Sequence, residues 1–273
     1  MVNGFAPQTL REALEIRRRE AVTPYGGGTD LMVEHRRSGQ YLFLHRIPEL
    51  RGITCDETYL RLGASATFSE VMEHPETPAI LAEAISRIAA PAIRNLGTVG
   101  GNIGNGSPKA DSVLVFFALD AKLRLMNADG ERIVPIGDFY KGRKSLDLGA
   151  DELIVEILLP RVTPGQYVYH KIGARAALAI ARLSFAGVWS VEEGVITACA
   201  TSFGAIDHVV VRRPEVDAML IGVRVDDLDS VKARYLEAYD RELNPIAGRI
   251  SAAYRKTVCM NLLDDFVEQM KGG

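Results

Sequence analysis

Two glycine-dense runs hold the residues of this chain best suited to chemistry. They are Tyr25-Gly26-Gly27-Gly28-Thr29-Asp30-Leu31 and Gly97-Thr98-Val99-Gly100-Gly101-Asn102-Ile103-Gly104-Asn105-Gly106. Backbone amides in a tight turn free of side chains can converge on phosphate oxygens, and glycine permits both the turn and the close approach. Thr29 and Asp30 add a hydroxyl and a carboxylate suited to ribityl or ribose hydroxyls. Neither run is a Walker loop, since no Gly-Lys-Ser/Thr follows, and neither fits GxGxxG in its strand-to-helix setting. One such run reads equally well as a plain tight turn. Two of this density point to an anion or dinucleotide site.

Two further residues attract attention, each with a plainer alternative. Asp111 follows the second run and could accept hydrogen bonds from ribose hydroxyls, or simply sit at a helix N-terminus. Lys171 could meet a phosphate or a ring oxygen, or be an exposed strand lysine. Other chemistry is thin: His35, His45, His74, His170 and His208 show no metal-ligand spacing, and there is no GxSxG elbow. Cys55, Cys199 and Cys259 form no CxxC pair and cannot supply the four thiolates of an iron–sulfur cluster. They read as reduced, packed residues. Neither a metal site nor a catalytic acid–base residue is expected in this chain.

The runs need elements to hold them. Thr9 with Glu12 signals a capped helix, and Ala21–Tyr25 reads as a strand leading into the first run. Asp30–Val33 reads as the start of a helical or extended segment. Strands are expected at Tyr41–Leu44, Tyr59–Leu62, Lys122–Met126 and Leu153–Leu159, and helices over Ile80–Ile88 and Val113–Leu119. The second run itself reads as a loop. Pro160-Arg161-Val162-Thr163-Pro164-Gly165 marks a domain boundary. Beyond it, strand-like runs at Tyr167–Ile172, Ala186–Val191 and Val195–Phe203 precede two helices, and Glu192-Glu193-Gly194 makes a hairpin turn. The expected class is α+β, divided at 1–162 and 163–273.

With 273 residues and 47% hydrophobic residues, the chain can bury a substantial core. A net charge of -3 with mixed signs offers no field for nucleic acid or an anionic membrane. Arg17-Arg18-Arg19 reads as a solvated helix end. No stretch is long and apolar enough to span a bilayer, and Met1–Phe5 shows no leader pattern, so a cytoplasmic chain is expected.

The run Ala90-Pro91-Ala92-Ile93-Arg94-Asn95-Leu96-Gly97-Thr98-Val99-Gly100-Gly101-Asn102 resembles the second FAD loop of the medium subunits of xanthine dehydrogenase and carbon monoxide dehydrogenase. Gly26–Leu31 is similar to that family's first FAD loop. The likeness continues through Ser107–Asp111, Ile136–Gly142, Glu152–Ile154, Lys171–Arg175, Arg212–Glu215 and Ser251–Arg255, so it covers nearly the whole chain. It implies a PCMH-type FAD-binding domain of two subdomains, about 1–52 and 53–162. A small domain of a three-stranded antiparallel sheet plus a helical bundle would follow.

By this resemblance Gly26, Gly27, Gly28, Thr29, Asp30 and Leu31, with Thr98, Val99, Gly100, Gly101 and Asn102, would cradle the pyrophosphate and ribityl chain. Asn105 and Asp111 would lie along the nucleotide, Ile154 by the adenine or ring, Ile88 on the adenine side and Lys171 near the flavin. The resemblance also implies partners: a large subunit with the molybdopterin cofactor and a small subunit with two [2Fe–2S] clusters, in a heterotrimer or its dimer. Electrons would run through FAD to NAD⁺ or another acceptor, after hydroxylation of a purine or related N-heterocycle. Two departures, Ala179-Ile180-Ala181 and Asp207–Val211, put the flavin-ring environment and the choice of acceptor in question. Rival readings are a stand-alone FAD reductase of the same fold, like the enolpyruvyl reductase of cell-wall synthesis, or a scaffolding subunit that has lost FAD.

Overall fold

The structure is a computed structural model that describes residues 3–33, 39–161, 164–175 and 178–272. His35, and Val162 and Thr163 of the expected linker, lie outside the described residues. Contacts divide the chain into two units, Met1–Ser107 with Asp120–Arg161, and Pro108–Leu119 with Val162–Gly273.

The first unit opens with β1 (Asn3–Phe5), α1 (Leu10–Arg19), β2 (Val22–Tyr25) and β3 (Gln40–Phe43). β3 lies between β1 and β2 and runs parallel to both. Thr9 caps α1, its hydroxyl accepting from the Glu12 amide at 3.2 Å. The return arm of the expected capping box shifts by one residue, because the Glu12 carboxylate accepts from the Gln8 amide at 2.8 Å. Leu10, Ala13, Leu14 and Ile16 of α1 pack with Leu42 and Leu44.

The unit continues through β4 (Ile53–Cys55), β5 (Tyr59–Gly63), α2 (Phe68–Glu73), α3 (Ala79–Ser86), α4 (Pro91–Arg94) and α5 (Val99–Gly104). The chain then leaves for α6 (Asp111–Ala118), which by its contacts belongs to the second unit. It returns as β6 (Lys122–Met126), β7 (Glu131–Pro135), α7 (Ile136–Phe139), β8 (Tyr140–Gly142), β9 (Ser145–Leu146) and β10 (Leu153–Pro160). β4, β5, β10, β6 and β7 form an antiparallel sheet in that order. Central β10 is buried on both faces, which explains its apolar run, interrupted by the half-buried Glu156. The expected segment at Asp30–Val33 is neither helix nor strand. It is a turn closed by Met32 donating to the Gly28 carbonyl at 2.9 Å.

The second unit contains α6, β11 (Gln166–Ile172), β12 (Leu183–Glu192), β13 (Val195–Gly204), α8 (Pro214–Asp217), α9 (Leu228–Glu242) and α10 (Ala252–Met270). The three strands pair antiparallel in sequence order. Trp189, Phe185 and Phe203 pack against Tyr235, Tyr239 and Phe266 of the long helices. α6 is fastened to β13, Ser202 Oγ donating to the Leu114 carbonyl at 2.9 Å. Cys199 and Cys259 are buried as expected, whereas Cys55 is exposed. Among the described residues no helix is long and apolar enough to cross a membrane.

α8 is tied into this core by Asp217. Its carboxylate accepts from the Thr201 amide at 2.9 Å, the Thr201 hydroxyl at 2.8 Å and the Tyr239 hydroxyl at 2.7 Å. Burial pushes the Asp217 carboxyl up to about 6 despite these donors. The folded state therefore holds a proton that the unfolded state, at the usual aspartate value, has released. Stability from this group is complete below about pH 4 and falls as pH rises through 6, by on the order of 3 kcal/mol. Denaturant titrations between pH 4.5 and 7 should show this decline in the wild type and a flatter profile in Asp217→Asn. Parallel profiles would show that Asp217 ionises without cost.

Candidate functional site

The two glycine-dense runs meet in the first unit. Beside them lies a cavity of about 370 Å³, walled by Gly26–Leu31, by Thr98, Gly100, Gly101, Asn102 and Asn105, and by Ile154. Gly28 adopts a left-handed φ of 71°, and a side chain there would strike the Tyr25 ring. A Cβ on Gly27 would occupy the space of the Leu96 carbonyl and the Gly97 amide. Glycine at 27 therefore lets the first run lie against the second, and glycine at 28 lets the first run turn. Thr98 stands between them, its hydroxyl 2.5 Å from where a Gly26 Cβ would fall and 2.8 Å from a Gly101 Cβ. Asn105 Nδ2 donates to Asp30 Oδ2 at 2.6 Å, a second tie between the runs.

The two runs differ in the donors they offer. No backbone amide from Gly26 to Leu31 has an acceptor among the described residues. Such a row of amides without described partners, from residues that are buried or half-buried except for the exposed Asp30, suits negative charge or acceptor oxygens. The second run is not a loop, as its glycine content suggests, but the helix α5 with its cap. Thr98 accepts from the Gly101 amide at 3.1 Å, the Val99 amide donates to Ala66 at 3.0 Å, and the Gly100 amide donates to Ala64 at 2.9 Å. A Gly100 Cβ would fall 2.6 Å from the Ala64 carbonyl oxygen, so this glycine lets α5 seat on the end of β5. That run contributes side chains and a smooth glycine wall rather than free amides.

Not every expected residue lines this cavity. Val99 is buried behind it. Ile88 sits at the end of α3, where Arg94 Nη1 donates to its carbonyl at 2.7 Å. Asp111 and Lys171 belong to the second unit, where Lys171 Nζ donates to Asp111 Oδ2 at 2.6 Å, their side chains 9% and 8% exposed respectively. Burial raises the Asp111 carboxyl and Lys171 pulls it back only in part. Lys171 is thus no exposed strand lysine.

Other wall residues escaped the sequence reading: Arg17, Thr23, Leu44, Lys144, Leu148 and Leu153. Of the basic run, Arg18 meets Asp129 and Arg19 bonds to its own helix at the Glu15 carbonyl, but Arg17 turns inward. The signal was available, since Arg17 falls three residues after Leu14 and four after Ala13, on the buried face of α1. Lys144 and Leu148 come from the β8–β9 hairpin and its exit. Lys144 donates its amide to the Gly106 carbonyl at 3.0 Å. Arg132 grips the same segment through Asp147 at 2.8 Å and Glu152 at 2.7 Å.

A glycine-walled cleft with a row of unmet amides defines a nucleotide-binding protein. The family described as the FAD binding domain in molybdopterin dehydrogenase matches residues 1–162, and the carbon monoxide dehydrogenase flavoprotein C-terminal domain matches 168–270. The nicotinate dehydrogenase FAD-subunit of Eubacterium barkeri is 28% identical, over 98% of this chain and 97% of that protein. The putative xanthine dehydrogenase FAD-binding subunit of Escherichia coli is 34% identical over 68% of this chain and 67% of that protein. Among solved structures, the reconstituted carbon monoxide dehydrogenase from Oligotropha carboxidovorans aligns with TM-score 0.90 at 25% identity, covering 100% of this chain and 98% of that one. This chain belongs to the family of FAD-binding subunits of the molybdenum hydroxylases.

Proposed function

We propose that this chain holds FAD in the first-unit cleft and serves as the electron-transfer subunit of a molybdenum hydroxylase. The observation that carries the reading is the row of amides from Gly26 to Leu31 without acceptors among the described residues, set against a wall where Gly27 leaves no room for a side chain. They would receive the pyrophosphate, while Thr98, Asn102 and Asn105 would orient the ribityl and ribose hydroxyls. Ile154 would pack against the ring system. Asp111 and Lys171 keep their expected roles at the ribose and the flavin as part of the same proposal, on the strength of the family likeness.

FAD, when bound, exchanges electrons singly or in pairs, and so can join one-electron clusters to a two-electron acceptor such as NAD⁺. The chain's own residues bind, orient and exclude water. Two [2Fe–2S] clusters on a small subunit would be the donor, and a large molybdopterin subunit would hydroxylate the substrate. An N-heterocycle is the proposed substrate class, in keeping with the nicotinate and xanthine named in the relatives.

The test is isolation of the chain from its native host under a mild affinity tag. Flavin absorbance near about 450 nm, general to flavins, and copurification of molybdopterin and iron–sulfur subunits are expected. A colourless chain would defeat the reading, and a yellow chain that purifies alone would favour a stand-alone reductase.

A further inference from the structure

A buried carboxyl outside the cleft shows more than its own stability effect. Asp217 ends α8, is 1% exposed and faces β13 and α9. Its Oδ1 lies 2.8 Å from the Thr201 hydroxyl and 2.7 Å from the Tyr239 hydroxyl, and those two hydroxyls lie 2.6 Å from each other. All three sides of this triangle are hydrogen-bond lengths. Three such bonds need three hydrogens, and the hydroxyls bring one each. As a carboxylate, Asp217 accepts from both hydroxyls, which leaves the Thr201 and Tyr239 oxygens face to face with no hydrogen between them. As a carboxylic acid it supplies the third hydrogen, and every side is filled in one sense around the ring. The Tyr235 hydroxyl, 3.3 Å from Oδ1, fills none of the three sides. A Tyr239 hydroxyl turned to the Arg213 carbonyl, at 3.5 Å, would empty one more.

The surroundings suit the neutral form. From β13, Cys199 is buried and its thiol is pushed up, and from α9 burial likewise raises the Tyr235 and Tyr239 hydroxyls. Arg212 favours ionisation of Asp217 only in part, Arg213 is engaged by Glu242 at 2.8 Å, and Glu215 of α8 is exposed. The ring holds a segment that has little else of its own. α8 has four residues, too few to persist by helix formation alone. The crossover that carries it is fixed at one end where Phe203 and Val211 exchange backbone bonds at 2.8 and 2.9 Å. At the other end the Gly222 amide donates to the Ile196 carbonyl at 2.8 Å. Between them Val216 and Leu220 are buried in the core, and the ring ties α8 to both neighbours.

We propose that Asp217 carries its proton in the closed form of α8 and that this proton latches α8 to β13 and α9, so that rising pH frees α8 to open locally. None of these residues lines the cleft, so the latch is independent of the FAD reading.

The experiment is amide hydrogen exchange of the full chain over about pH 4–7.5, each rate divided by the intrinsic rate at that pH. The closed form keeps its proton up to about pH 6, whereas the open form releases it at the usual aspartate value. Opening at the amides of Val216–Leu220 should therefore rise about tenfold per pH unit between these values and level off about a hundredfold higher. These amides should stay less protected than those of α10 throughout, as local opening requires. Asp217→Asn brings two amide hydrogens and no charge, so it should keep the acid-form protection without the rise. An ionised Asp217 that accepts from all its neighbours predicts the opposite, with wild-type protection constant or growing with pH and the Asn variant weaker throughout. That result overturns the proposal. So does exchange of α8 at the same protection as α10, which would make the proton a property of the whole unit. If the Asn variant fails to fold, the wild-type profile decides alone, because a closed form without the proton shows no rise.

Discussion

Gly27→Val is expected to leave the isolated subunit nearly colourless, with flavin affinity reduced on the order of a hundredfold or more. The reasoning begins with space. A Cβ at this position would coincide with the Leu96 carbonyl and the Gly97 amide, which are backbone atoms and cannot rotate away. The first run must then lift off the second. Its amides move with it, and each hydrogen bond to a charged oxygen contributes about 1.5–3 kcal/mol, so losing two accounts for the size of the effect. The second unit has no part in this contact and should keep its folding transition. Gly130→Ala, at a turn with no atom near its missing Cβ, is the matched control and should retain flavin. Flavin content at equal protein concentration, read by absorbance and by release on denaturation, decides the matter. A Gly27 variant that stays fully yellow would remove the first run from the binding site.

The choice of Gly27 over Gly100 shows what the structure adds to the sequence. From the sequence, Gly100 invites substitution as the centre of a phosphate loop. In the fold its amide is spent on Ala64 and its missing side chain seats α5 on β5. Flavin loss in Gly100→Val would therefore not separate binding from misfolding. Glycine density suggested a loop because each glycine disfavours a helix interior. The Thr98 cap and the contact with Ala64, which no local pattern reveals, overrode that preference.

Elsewhere legibility followed periodicity. Lys122–Met126 alternates and is a strand, and the apolar run at Val113–Leu119 falls within the buried helix α6 extended by its end residue. β1 and β7 went unread, being short or largely exposed segments specified by the strand beside them. Arg17 was hidden by its neighbours, since three consecutive arginines look solvated although helical phase turns just one inward. The membership of α6 in the second unit could not be read from chain order at all. It depends on contacts such as Ser202 with Leu114, 88 residues apart.

The Asp111–Lys171 pair raises a question of the same kind, because 60 residues of sequence separate two charges that share one hydrogen bond. Lys171→Met should destabilise the second unit by about 3–5 kcal/mol, the usual cost of leaving a buried charge unpaired. The sign of its pH dependence follows from Asp111. Burial already raises that carboxyl above the value it has in an unfolded chain, and loss of the lysine raises it further. The folded variant then gains stability by holding a proton, so the defect should be mild in acid and grow as pH rises through the folded value. Asp111→Asn with Lys171→Met should recover most of the loss, since a neutral pair leaves no stranded charge. That double variant, set beside Asp111→Asn alone, also addresses the functional question. If Lys171 serves only packing, the double variant should match Asp111→Asn in flavin content and spectrum. If Lys171 touches the flavin, the double variant should fold normally yet show a shifted absorbance band or weaker flavin binding than Asp111→Asn. A double variant indistinguishable from Asp111→Asn in spectrum and flavin affinity would reduce Lys171 to a structural counter-ion.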